Sequence, residues 1–361
     1  MAVPAAVDAV TQIRTRIRGV PLSDEGAALT RNPPRAAREG GRFLFLLAIP
    51  LMLGSCSGPG NMLDPGGPGA RRIAGLWWLM LVISVIVFLI VLGFIAAGLV
   101  RGRRNCAPNE KSRLGGTFVL LSGIVLPCLI LGAVFLVSLR DMSVLSAPPD
   151  DPSLTIDVIA HDWWWEVRYP DTDAVTANEI HVPAGESVRL RLTTDDVIHS
   201  FWVPRLQAKT DHIPGTTTTM WLRADEPGRY RGQCAEFCGL QHANMIFWVE
   251  ADPRPEFDEW LASQSEPAQV TGGTGEETFT SLQCAGCHTV RGTEADAKVG
   301  PDLTHVMSRG TLLSGVLDNS RDGLERVILD PQGLKPGITM PPSDLSEDDL
   351  ESLLDYLEQL R

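Results

Sequence analysis

CAEFCGLQHANM, from Cys234 to Met245, carries two thiols, a carboxylate, an imidazole and a thioether in twelve residues. Softness narrows the metal such a set would hold: thiolate and thioether select copper, zinc or iron–sulfur over magnesium or calcium, and imidazole suits copper and zinc. Cys234, Cys238 and His242 recur at intervals of four, and Met245 follows three later. His199, in DVIHSFWVP, is a further strong ligand available from an earlier strand. Four readings compete. A disulfide leaves the histidines unexplained, and a structural zinc site of two cysteines and two histidines has no use for Met245. Blue copper takes two histidines, one cysteine and a weak axial methionine, which leaves a cysteine over. Two thiolates bridging two coppers use every ligand, with one imidazole per copper and weak contacts from Met245 and the carbonyl of Glu236. Shared sulfurs would spread one unpaired electron over both metals, so that little reorganises on reduction.

Around this loop the chain reads as short strands with turn signals: TIDVIAHDWWWEVRYP, EIHVPAGESVRLRLTT, VIHSFWVP, TTTTMWLRADEPGRYRGQC and NMIFWVEAD. Alternating Val, Ile, Thr and Trp with Pro-Gly and Ala-Gly turns predicts an antiparallel all-β sandwich or barrel over residues 150–252. In a strand, Trp163 and Trp165 would share one face and Trp164 the other, so at least one of the three belongs at the surface or an interface.

A polar stretch rich in Gly, Ser, Pro and Thr, SQSEPAQVTGGTGEE, marks a flexible linker, bounded at 253–273. Residues 274–361 then read as a small all-α domain, opened by a capping box of Thr274 and Glu277. It closes on SEDDLESLLDYLEQL, whose Leu350, Leu353, Leu354, Leu357 and Leu360 line one helix face under a Ser346 cap. CAGCH, Cys284 to His288, is the attachment signature of c-type haem: Cys284 and Cys287 add to the vinyl groups and His288 ligates the iron. Met340 in KPGITMPP is the expected second axial ligand, with Met307 left to packing, and the carbonyl of Pro301 is expected to orient His288.

The first 140 residues are the apolar part. FLFLLAIPLML (Phe43 to Leu53) is too short to span a bilayer and reads as the h-region of a signal peptide, residues 1–55, ending at Cys56 in a lipobox-like LGSC. Its n-region of 42 residues is unusually long, which is consistent with translation starting further downstream. After an exported segment (56–75), Leu76 to Val100 and Gly115 to Leu139 each lack Asp, Glu, Lys and Arg and predict two transmembrane helices within 76–140. The connecting RGRRNCAPNEKSR carries five basic residues against one acidic, which places it in the cytoplasm and everything after Asp141 outside. Cys106 and Cys128 are read as packing residues. A net charge of −13 argues against a nucleic-acid partner.

Taken together, the hairpin, HDWWW (His161 to Trp165), IHSFWVP, KTDHIPG (Lys209 to Gly215), GRYRGQCAEFCGLQHANM and the appended haem domain resemble subunit II of the haem-copper cytochrome c oxidases, and most of all its caa3 type. The haem domain by itself is similar to class I cytochrome c. The resemblance implies a cupredoxin fold and a dinuclear copper A centre held by His199, Cys234, Glu236 through its carbonyl, Cys238, His242 and Met245. It also implies covalent haem c, a magnesium ion shared by Glu236 with subunit I, and Trp163 as the residue that receives electrons. Implied partners are subunit I and other oxidase subunits, a cytochrome c or bc1-type donor, and the cell membrane, with the soluble domains on its outer side. The implied activity is electron input to a terminal oxidase that couples O2 reduction to proton pumping. The apolar spans contain no histidine, so the oxygen chemistry belongs to another subunit. Two rivals stand: a quinol-oxidase subunit II, which lacks copper ligands, and a tethered haem and copper carrier feeding a nitric oxide or nitrous oxide reductase.

Overall fold

The computed structural model describes residues 58–102, 113–148, 150–269, 272–282 and 284–361. The expected signal peptide, with Cys56, and most of the basic loop, with Cys106, lie outside the described residues. Two helices are long and apolar enough to cross a membrane. The first is α1 (Pro68–Gly102); the second joins α2 (Arg113–Leu120), a π-helical turn (Leu121–Val125) and α3 (Leu126–Leu145). At 1.5 Å per residue α1 is about 50 Å long, against the ~30 Å of a hydrocarbon core. Its first turns therefore project beyond the membrane and dock on the sandwich. Ala70 donates its N–H to the carbonyl of Leu206 at 3.0 Å, and Arg71 pairs with Asp225 at 2.5 Å. The second span is fastened at its other end, where the Trp221 indole donates to the carbonyl of Leu145 at 2.7 Å. Arg72 and Asp141, 3.5 Å apart, join the two helices near that attachment. The two spans therefore run as an up-and-down pair. Cys128 is exposed on α3 and is not a packing residue within this chain.

Ten strands make two five-stranded sheets. One has the order β3 (Val175–Ala177), β2 (Trp164–Arg168), β1 (Leu154–His161), β5 (Val188–Thr194), β8 (Thr218–Leu222). The other runs β4 (Glu179–Pro183), β10 (Ile246–Asp252), β9 (Gly228–Cys234), β6 (His199–Trp202), β7 (Thr210–His212). The β1/β5 and β4/β10 pairs are parallel and the rest antiparallel. Val188, Leu190 and Leu192 alternate inward along β5, the period a half-buried strand imposes. Between the sheets Trp165 meets Phe201 and Phe247 edge-on at centroid distances of 6.1 and 5.0 Å.

The stretch expected to be a flexible linker begins as a helix, α4 (Arg254–Ser265), packed on the sandwich. Phe257 is buried, and Trp260 stacks on His181 at 3.9 Å. Phe257, Trp260 and Leu261 recur at helical spacing, and burying that stripe outweighs the polar composition. The haem-motif domain follows: α5 (Thr274–Ser281), α6 (Arg321–Leu329), α7 (Pro331–Leu334) and α8 (Glu347–Leu357). The capping box at Thr274 does not form. Gly273 is the N-cap, at φ 96°, and Thr274 lies inside the helix. The Ser346 cap does form, its hydroxyl accepting from the Asp349 N–H at 3.2 Å, and Leu353, Leu354, Leu357 and Leu360 are buried.

Gly232 in β9 faces the Phe247 ring so closely that a Cβ there would overlap it. Gly232→Ala should destabilise the sandwich by about 1–3 kcal/mol, the usual cost of overpacking. A lower urea midpoint for tryptophan fluorescence, with the haem spectrum unchanged, is the expected result.

Candidate metal centre

Strand β9 ends at Cys234, and the loop that follows is tied at its base: Cys234 donates its N–H to the carbonyl of Met245 at 3.0 Å, and Ala235 to that of Ser200 at 2.9 Å. Pairing of β6 with β9 sets Phe201 opposite Cys234, which brings His199, at the start of β6, to the same end of the sheet. The two sulfurs lie 3.8 Å apart, far beyond the ~2.05 Å of a disulfide. His199 Nδ1 is 3.9 Å from Cys234 Sγ and His242 Nδ1 is 3.6 Å from Cys238 Sγ, so each sulfur has one imidazole at its side. Met245 Sδ lies 3.8 Å from Cys238 Sγ, and the carbonyl of Glu236 lies 3.1 Å from Cys234 Sγ. His199 and Met245 are fully buried, both cysteines nearly so, and His242 half-buried. The six groups expected from the sequence therefore converge. The donor set fits a soft-metal pair and exceeds what one tetrahedral zinc takes.

The electrostatics are those of a site that exchanges protons for metal. Contact with Cys238, helped by His199, holds the Cys234 thiol well below its ordinary value, and the same contact pushes Cys238 up. Two thiolates this close in a dry site would repel, so one proton stays with the pair. Burial works against a charge on His199, but Asp196 and Cys234 outweigh it and raise the imidazole to about 9. Asp196 accepts from His199 Nε2 at 2.8 Å, leaving Nδ1 toward the sulfurs. That carboxylate escaped the sequence reading, although it stands three residues before a proposed ligand. Metal binding would displace these protons.

In the second domain a turn (Cys284–Gly286) carries the motif, and His288 donates its N–H back to the carbonyl of Cys284 at 3.0 Å. His288 Nδ1 lies 2.7 Å from the Pro301 carbonyl, the expected orienting contact, so Nε2 is the nitrogen left for a metal. A Cβ at Gly300 would come within 2.6 Å of the ring, so only glycine lets this loop close over His288. Cys284 and Cys287 are half-buried and unbridged. Met307 packs against the domain core, while Met340 sits half-buried in the loop after α7 and outside that core. These residues fit a covalent haem.

Trp163 departs from the strand expectation. It lies in the turn between β1 and β2, out of register with fully buried Trp165. Its indole donates to the carbonyl of Cys238 at 2.8 Å. Trp164 stacks on His161 at 4.4 Å. The remaining histidines have protein partners: His161 with Glu166, His181 with Asp252, His212 with the Thr193 carbonyl, and His305 with the carbonyls of Arg361 and Glu266.

Comparison with known proteins agrees. Residues 174–252 match the family of the cytochrome c oxidase subunit II periplasmic domain, and residues 273–361 match the cytochrome c family. The chain is 35% identical over 338 residues to cytochrome c oxidase subunit 2 of Alkalihalophilus pseudofirmus, covering 90% of this chain and 98% of that one. It is 30% identical over 349 residues to the Bacillus subtilis subunit, with coverages of 89% and 98%. This chain belongs to the cytochrome c oxidase subunit II family. Membrane helices, a periplasmic cupredoxin-like domain and a cytochrome c domain make it a subunit II of the caa3 type, with the residues of a copper A site and a domain that implies haem c.

In such a subunit II the Asp196 carboxylate orients one ligand. Asp196→Asn should weaken copper binding by about 10- to 100-fold, as loss of an orienting partner commonly does, while haem content stays the same. Copper-to-protein ratios after dialysis against a graded chelator would measure it.

Proposed function

We propose that this chain is the electron-input subunit of a haem-copper terminal oxidase, relaying single electrons from its cytochrome c domain through its copper domain to subunit I, where O2 is reduced and protons are pumped. When bound, the copper pair and the haem supply the one-electron couples. The chain's own residues supply the rest. His199, Cys234, Cys238, His242, Met245 and the Glu236 carbonyl hold the copper; Cys284, Cys287, His288 and Met340 hold the haem. The observation that carries the reading is the convergence of six soft-metal donors beside a tryptophan bonded to the Cys238 carbonyl. Trp163 also faces the second domain, with Gly337 3.7 Å from its ring as measured from a Cβ built there, which suits a role in passing electrons between the domains.

Docking on subunit I is supported by apolar side chains at the copper end of the sandwich. Val197, Ile198, Ile213 and Phe237 are exposed there, Phe237 by 78%. A magnesium ion shared with subunit I would be held by the exposed Glu236 carboxylate, which Lys209 partners at 3.2 Å within this chain. From Val270 onward the chain has 16 acidic residues against 7 basic, which favours a basic cytochrome c or bc1-type donor. Lipidation of Cys56 after removal of a signal peptide would add a second anchor.

Purification in mild detergent tests the assignment. Co-isolation of a subunit carrying haem and CuB with a two-copper, one-haem subunit II is expected, and isolation without one would favour the carrier reading. Trp163→Phe keeps an aromatic ring at the position and removes the N–H bond to the Cys238 carbonyl. It should slow electron transfer to copper at unchanged copper and haem content; an unaltered rate would return Trp163 to packing.

A further inference from the structure

Lys335 is a buried lysine, 2% exposed, in the loop that runs from α7 to Met340. Its ammonium has three N–H donors, and three main-chain carbonyls take them: Trp163 at 2.8 Å, Asn244 at 2.9 Å and Leu313 at 3.1 Å. Two of those acceptors belong to the copper domain and one to the haem-motif domain. Among the described residues no carboxylate pairs with Lys335. Burial pulls its pKa down to about 7. A buried lysine amino group spent wholly on main-chain oxygens across a domain seam is a costly way to gain stability, and fixing register is the best-attested reason to keep such a group.

The neighbouring contacts share that geometry. Ser314 is buried and donates to the Trp163 carbonyl at 3.0 Å, the acceptor Lys335 also uses, while Ile246 donates its N–H to the Ser314 carbonyl at 3.3 Å. Gln241, beside His242, donates to the carbonyl of Pro336 at 2.7 Å. A Cβ at Gly337 would lie 2.9 Å from Leu240, so that glycine admits the copper loop against the Met340 loop.

We propose that Lys335, assisted by Ser314, is a positioning residue that latches the Met340 loop onto Trp163 and the copper loop, holding the cytochrome domain in one docked pose and not as a swinging tether. This rests on the electron-relay reading for its purpose, but its geometry is independent of it. The latch acts through the backbone of Trp163 and Asn244, and Lys335 touches neither metal ligand nor reacting atom.

Lys335→Met keeps the stem and removes all three donors; Ser314→Ala is the milder variant, and carries the test if Lys335→Met fails to fold. Both are made in the full-length, metal-loaded oxidase. Hydrogen exchange of the Gln241–Met245 and Gly337–Met340 amides should quicken about tenfold or more in Lys335→Met, with copper and haem content unchanged. Electron transfer from flash-reduced haem to copper should slow and become multiphasic. Exchange indistinguishable from wild type in the folded variant would overturn the latch. If wild type itself passes no electron from haem to copper, the relay reading fails and exchange alone judges the latch.

Discussion

Two buried sulfurs held 3.8 Å apart in one loop set the terms for the rest of this chain. Left alone, a pair of thiols at that separation would oxidise or keep a proton between them. Their use requires imidazoles at both sides, a thioether to complete the set, and walls that exclude water. The sandwich meets each need. Strand β9 delivers Cys234 at its end, β6 delivers His199 beside it, and the Cys234–Met245 main-chain bond closes the loop. Trp165, Phe201 and Phe247 fill the space between the sheets, and Trp165 also meets His199 edge-on at 6.2 Å. A core this tightly packed gives the ligands little room to move when the charge of the site changes.

The second constraint is orientation relative to the membrane. Both spans are fastened to the sandwich, one at its start and one at its end, through Ala70 and Leu206 and through Trp221 and Leu145. The copper domain is thus seated on the hairpin. Its other surface receives the cytochrome domain, and the end of α4 is held by that domain: Arg291 reaches the carbonyls of Gln264 and Ser265 at 2.6 and 3.0 Å and that of Asp173 at 2.8 Å. A chain in which both redox domains share one seam has no need of diffusion between them.

Much of this was legible from the linear chain because the chemistry demands particular residue types at short spacing. CAGCH and the Cys234–Met245 loop are local motifs: their ligands are neighbours in sequence, so spacing alone exposes them. The apolar spans and the Ser346-capped helix follow from composition and period in the same way. His199 stood as a candidate on residue type alone, and the family resemblance assigned it, since nothing local ties it to a loop 35 residues away.

What failed or stayed hidden depends on partners that only folding brings together. Helix α4 forms because Phe257 and Trp260 find Tyr169 and His181 on the sandwich, a surface invisible to a window of polar residues. Thr274 lost its capping place to Gly273 because the chain arrives there in a left-handed turn. Trp163 left the strand alternation for the turn under the copper loop. Asp196 and Lys335 carry no motif at all. The sequence by itself determined which metals this chain could hold and that it is anchored in a membrane, because ligand softness and hydrophobic length are properties of residues. Tertiary structure decided how the two redox domains face each other, because a lysine finds its three carbonyls only when segments more than 170 residues apart meet.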